Sequence, residues 1–143
     1  MSDIKTTPDF AERRRALDPA HSFIVQAPAG SGKTGLLIQR YLRLLAQVDA
    51  PEEIVAITFT RKAAAEMRER VLTALAVFTQ TDSVADESEH DKLTRELAAA
   101  VLQRDAGAGW QISANPARLR IQTIDSLCAS LTRQMPMLSK FGS

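Results

Sequence analysis

Phe23-Ile24-Val25-Gln26-Ala27-Pro28-Ala29-Gly30-Ser31-Gly32-Lys33-Thr34 reads as a short apolar strand, a turn of small residues and the first turn of a helix. Its last eight residues, Ala27, Pro28, Ala29, Gly30, Ser31, Gly32, Lys33 and Thr34, match the phosphate-loop pattern G-x-x-x-x-G-K-[ST], with Ala27 in the first glycine position. A backbone that wraps a phosphate chain needs small residues, and Gly30 and Gly32 can take conformations that a side chain forbids. Amides from Gly30 to Thr34 would then face the phosphates from a helix N-terminus, where negative charge is favoured. Lys33 would reach the β- and γ-phosphates, and the Thr34 hydroxyl would be the ligand to Mg²⁺. The bland alternative is a glycine-rich turn with Lys33 merely exposed, and the agreement of strand, loop and helix weighs against it.

Working outward, Leu36, Leu37, Tyr41, Leu44, Leu45 and Val48 recur at helical spacing, and Asp49-Ala50-Pro51 closes that helix. Ile54 to Phe59 is an almost continuous apolar run, as expected of a parallel strand buried on both faces. Strand, helix and strand of this length imply a right-handed crossover. Thr60 suits the N-cap of a further helix whose buried stripe is Ala63, Ala64, Met67, Val71, Leu75 and Phe78. On its remaining surface Arg61, Lys62, Arg68 and Arg70 are offset by Glu66 and Glu69. Residues 79–91 are polar and acidic and read as a solvated loop. Leu93, Leu97, Ala100, Val101 and Leu102 form the apolar side of the next helix, which Asp105 to Gly109 ends. His90 and Trp110 are isolated, with packing or surface roles expected. Leu119 to Ile124 looks like a third strand, and Asp125 to Leu131 begins a helix. Met135 to Leu138 and Phe141 are apolar without a later element to pack on. Upstream, residues 1–8 are polar and expected to be mobile, and 9–17 form a short helix presenting Phe10 and Leu17, stopped by Asp18-Pro19.

The 143 residues, 45% hydrophobic, suffice for one core. A formal net charge of +1 leaves no bulk electrostatic case for nucleic acid, so any such contact must be local. The single cysteine, Cys128, excludes an internal disulfide and supplies no metal cluster. No charged-then-apolar leader and no long apolar run is visible, so no membrane contact and a soluble, cytoplasmic location are the default expectation.

Three motifs in order carry a resemblance. The loop from Ala27 to Thr34 is the first. The second, Ala56-Ile57-Thr58-Phe59-Thr60-Arg61-Lys62-Ala63-Ala64-Ala65-Glu66-Met67-Arg68-Glu69-Arg70-Val71, is very similar to the "TFTNKAAxEMxxR" motif, and Ile121-Gln122-Thr123-Ile124-Asp125-Ser126-Leu127-Cys128 looks like a "ThHSFC" segment. Together they resemble the N-terminal motor region of superfamily 1 DNA helicases of the UvrD/RecB type, including exonuclease V β subunits, over about residues 9 to 141. Phosphate loops alone are shared by unrelated enzymes, so the second motif is the discriminating one.

The resemblance implies an α/β, RecA-like P-loop NTPase lobe, a parallel sheet with flanking helices, present here as residues 1–143 of an incomplete ATP-binding domain. ATP and Mg²⁺ are the implied cofactors. The implied partners are single-stranded DNA or DNA ends, a second motor lobe and a partner subunit with nuclease or helicase activity, with DNA repair or recombination as the setting. Lys33 and Thr34 carry over as catalytic residues, and Thr58, Phe59, Thr60, Thr123 and Ser126 as DNA-binding ones. From pattern alone Phe59 reads as a core aromatic; the resemblance makes it a stacking face for a base. Asp125 departs from the histidine common at its position, and a carboxylate would repel a DNA phosphate. Gly35 stands where many relatives have arginine, and Glu12 or Arg13 where an adenine-reading glutamine falls. The strand ending in Asp-Glu that such a motor needs for Mg²⁺ and water activation cannot be placed, so residues 1–143 alone are expected to turn over little or no ATP. Two rival readings stay open: a compact P-loop NTPase or kinase in which Asp125 holds Mg²⁺, and a non-catalytic nucleotide-binding module.

Overall fold

The computed structural model describes residues 10–26, 32–77 and 87–134. In chain order these form helix α1 (Phe10–Arg15), helix α2 (Lys33–Leu45), strand β1 (Val55–Thr58), helix α3 (Arg61–Val77), helix α4 (Glu89–Ala108), strand β2 (Arg120–Thr123) and helix α5 (Ile124–Gln134). Short 3-10 turns at Pro51–Glu53 and Pro116–Arg118 lead into the two strands. β1 and β2 pair in parallel, Val55 opposite Arg120 and Thr58 opposite Thr123. Parallel neighbours need a long crossover, and α3 and α4 supply it.

Each helix begins where its sequence allows. Thr60 Oγ1 accepts from the Ala63 N–H at 3.1 Å, capping α3 as expected. Ser88 caps α4 by accepting from the Asp91 N–H at 3.1 Å, so the acidic stretch becomes helical at Glu89 rather than after Asp91. Gly109, at φ 70°, ends α4 in the left-handed conformation that glycine tolerates. The expected mobility of residues 1–8, the acidic segment 79–86, Phe78 and the apolar end Met135 to Phe141 lie outside the described residues.

The core lies between α2, α3 and α4 and against one face of the sheet. Leu42, Leu45, Val71, Ala98 and Val101 are fully buried in it. α2 buries Leu36, Ile38, Tyr41, Leu42 and Leu45 and leaves Leu37 53% exposed, because its buried stripe is turned by one residue from the predicted one. α4 runs parallel to α2. His90 near its start meets Gln39 of α2, and Arg104 near its end donates to the Val48 carbonyl at 3.0 Å. Trp110 takes the expected packing role, buried, with Nε1 donating to the Asp49 carbonyl at 2.9 Å. Arg118 and Glu52 join the two pre-strand turns through hydrogen bonds of 2.7 and 3.2 Å, and that contact holds the Glu52 carboxyl below its ordinary range. Strand register is thus pinned at the N-terminal edge of the sheet, leaving the C-terminal edge to function.

Two strand expectations need correction. Val55 and Ile57 are 39% and 51% exposed, so β1 is buried on one face only; the helices cover the face of Ala56, Thr58, Ile121 and Thr123. Residues 23–26, read as the first strand, are not in a ladder among the described residues, and Ile24 is 91% exposed. An apolar run becomes a paired strand only with a neighbour beside it, and neither β1 nor β2 takes that place. Arg68, read as a surface residue, is half-buried instead and donates to the Ile121 carbonyl at 2.7 Å, tying α3 to β2.

Candidate nucleotide and nucleic-acid sites

Lys33 and Thr34 open α2 and are both exposed, so charge and hydroxyl are available at the helix N-terminus. Gly32 precedes them at φ 86°, a left-handed conformation that strains any side chain, so residue 32 is glycine for its conformation. Arg13 reaches over from α1 to donate to the Gly32 carbonyl at 3.2 Å. A cleft of about 290 Å³ lies beside this turn, lined by Glu12, Arg13, Phe23, Gln26 and Lys33 among others. Ala27, Pro28, Ala29, Gly30 and Ser31 lie outside the described residues. What is described fits a phosphate-bearing ligand: a left-handed glycine, a cation and a hydroxyl at the positive end of a thirteen-residue helix.

The segment that enters this turn is held by a residue the periodicity did not reveal. Arg40 of α2 donates to the carbonyls of Ala16, Asp18 and His21 at 2.6, 3.2 and 2.9 Å, and its guanidinium lies 5.4 Å from the Phe23 ring centre. The available signal was an arginine beside Tyr41 and Leu42 on the buried side of a helix, where it must find partners.

The second candidate site is where both strands end. Thr58 and Thr123 are register partners, so the two motifs meet at one edge, as ligand sites in open α/β sheets do. A cleft of about 350 Å³ there is lined by Phe59, Arg61, Thr123, Asp125, Ser126 and Ala129. Phe59 is 93% exposed, so it is no part of the core that the described residues form. The four hydroxyls are not equivalent. Thr58 spends its O–H on the Thr60 carbonyl at 3.1 Å, and Thr123, only 6% exposed, spends its own on Ser126 Oγ at 2.9 Å while accepting from the Ser126 N–H at 3.1 Å. Thr60 and Ser126 accept these local bonds and keep their own O–H to donate. Asp125 lines this cleft and not the one beside Lys33.

Comparison with known proteins gives the chain a family. The model of the UvrD/REP helicase N-terminal domain matches residues 9–141. The chain belongs to the UvrD/REP helicase family. A subunit of an ATP-dependent helicase/nuclease from Desulfitobacterium hafniense is 32% identical over 139 residues, 94% of this chain and 8% of that protein. The protein of the same description from Lactobacillus acidophilus is 33% identical over 129 residues, 89% of this chain and 9% of that protein. DNA helicase II of Haemophilus influenzae is 46% identical over 70 residues, 48% of this chain and 10% of that protein. The chain therefore spans about a tenth or less of the length of these relatives, and its match in the UvrD/REP family is to the ATP-binding N-terminal motor region. No solved structure matches. No helix among the described residues is long and apolar enough to cross a membrane.

Proposed function

We propose that this chain is the ATP-binding front of a motor that moves along single-stranded DNA, one domain over residues 1–143 that works with a second motor lobe. The observation that carries it is the meeting of the second and third motifs at the C-terminal edge of the sheet, Thr58 beside Thr123, with the exposed Phe59 lining the cleft there. ATP would sit at the N-terminus of α2, in the loop Ala27 to Thr34. Lys33 neutralises its β- and γ-phosphates, and the Thr34 hydroxyl holds Mg²⁺, which supplies charge neutralisation for phosphoryl transfer when bound. Phe59 stacks on a base, and Thr60 and Ser126 donate to DNA phosphates. Thr58 and Thr123 hold those donors in place, since a phosphate only accepts and their own O–H groups are already given away. The relatives described as helicase/nuclease subunits support a partner subunit, and the same reading takes DNA ends, in repair or recombination, as the setting.

Turnover of ATP by residues 1–143, with and without single-stranded DNA, tests this reading against the compact NTPase. Near-background rates in both the wild type and Asp125→Ala are expected, because Asp125, the Mg²⁺ carboxylate of the compact reading, lines the cleft at the strand ends and not the one beside Lys33. Robust turnover abolished by Asp125→Ala would establish the compact enzyme instead.

A further inference from the structure

Asp125 lines the cleft at the strand ends among groups that suit a phosphate, which a carboxylate repels. That cleft holds about 350 Å³, within the range of small-ligand sites, and is walled by Phe59, Arg61, Thr123, Asp125, Ser126 and Ala129. Thr58 and Thr123 are register partners, so Phe59 lies one residue beyond that pair after β1 and Asp125 two residues beyond it after β2. Paired strands run about 4.8 Å apart, and an exposed ring and an exposed carboxylate therefore border one space.

The two charges of the cleft are not spent on each other. Arg61 and Asp125 are both exposed and form no ion pair, and no hydrogen bond ties the Asp125 carboxylate to another side chain among the described residues. Asp125 stands in the first turn of α5, where a carboxylate favours the helix modestly. That position accounts for a negative charge at the start of the helix and leaves the carboxylate oxygens open to the cleft.

Along single-stranded DNA the phosphate and sugar oxygens only accept, and the base edges alone donate. Arg61 and the Ser126 O–H suit the phosphates. Asp125 can only accept, so its counterpart must be a base. We infer that Asp125 reads the base stacked on Phe59, accepting from an exocyclic amino group and so favouring cytosine, adenine or guanine over thymine. The inference rests on the proposed reading of this edge as a DNA site. Cytosine and adenine each present an amino group, and guanine an amino group beside a ring N–H, whereas thymine presents one N–H between two carbonyl oxygens that a carboxylate repels. Stacking on an aromatic ring tolerates every base, which leaves the discrimination to Asp125.

Equilibrium binding of short oligomers of 5-methyldeoxycytidine and of thymidine, to a complete motor carrying this segment and without nucleotide, compares bases that differ only at the Watson–Crick edge. The wild type should hold the methylcytidine oligomer about threefold to tenfold more tightly, the worth of one hydrogen bond. Asp125→Ala should bring the two affinities close together. Asp125→Asn, whose amide donates as well as accepts, should do the same by binding thymidine better. A variant that folds less well weakens both oligomers alike and leaves their ratio where it was, so the ratio reports the carboxylate rather than the helix it begins. Equal affinities in the wild type, or a preference that survives in Asp125→Ala, overturn the inference. Phe59→Ala should weaken both oligomers, and no loss of either would instead overturn the DNA reading beneath it.

Discussion

Phe59 shows how exposure decides between two meanings of one side chain. A large aromatic at the end of an apolar strand reads as core, yet at 93% exposure it gains nothing from the interior. Phe59→Ala should therefore leave thermal stability unchanged and weaken single-stranded DNA binding by about 1–3 kcal/mol, the usual value of one base stacked on an aromatic. A fall in melting temperature that accounts for the lost DNA affinity would contradict the stacking role. Neighbouring hydroxyls divide in the opposite way. Thr123 is buried and caps α5, so Thr123→Val should cost about 0.5–2 kcal/mol of stability, as lost caps do. Ser126→Ala removes the O–H that remains to donate and should lower the DNA affinity of the folded protein; because it also removes the acceptor of the buried Thr123 O–H, its urea midpoint should fall as well. Chemical denaturation beside DNA titration distinguishes the pair. None of this division was legible in the sequence, where four hydroxyls at a strand edge look alike; it depends on which of them has already given its hydrogen away.

The helices were legible where apolar spacing and capping coincide, as in α3, whose Thr60 cap and Ala64, Met67, Val71 and Leu75 stripe appear as read. The strands were less so. Apolar runs do not say how many faces are covered, and β1 has one face partly open at Val55 and Ile57. Polar anchors inside helices were missed altogether: Arg40, Arg68 and Gln39 interrupt apolar stripes and are legible only once their carbonyl, imidazole and hydroxyl partners are in place. Tyr41 is the converse case, a residue whose burial was predicted and whose hydroxyl has no partner among the described residues. Burial favours the neutral phenol and raises its pKa from 10.0 to about 12. Because the folded value lies above the unfolded one, this contribution to stability is complete below about pH 10 and is lost as pH rises through about 12. Tyr41→Phe should be neutral or stabilising at pH 7 and should move alkaline unfolding to higher pH, which circular dichroism across a pH series would show. An unchanged alkaline midpoint would mean that another group sets it.

In the molecule as a whole, α2 and α4 run side by side with their N-termini at the end where nucleotide is proposed, and β1 and β2 deliver their motifs to the edge where α3 and α5 begin. The Glu52–Arg118 contact and the Trp110 anchor occupy the opposite edge, so the parts that only hold the fold are separated from the parts that would meet ligands. This separation predicts that nucleotide and DNA contacts can be removed independently. The most direct test is steady-state ATP hydrolysis by Lys33→Ala in a complete motor carrying this segment, measured beside its nucleotide-free affinity for single-stranded DNA. Turnover should fall at least about a hundredfold, as when one preorganised charge-stabilising group is lost, with DNA affinity unchanged. Wild-type turnover in Lys33→Ala would contradict the account.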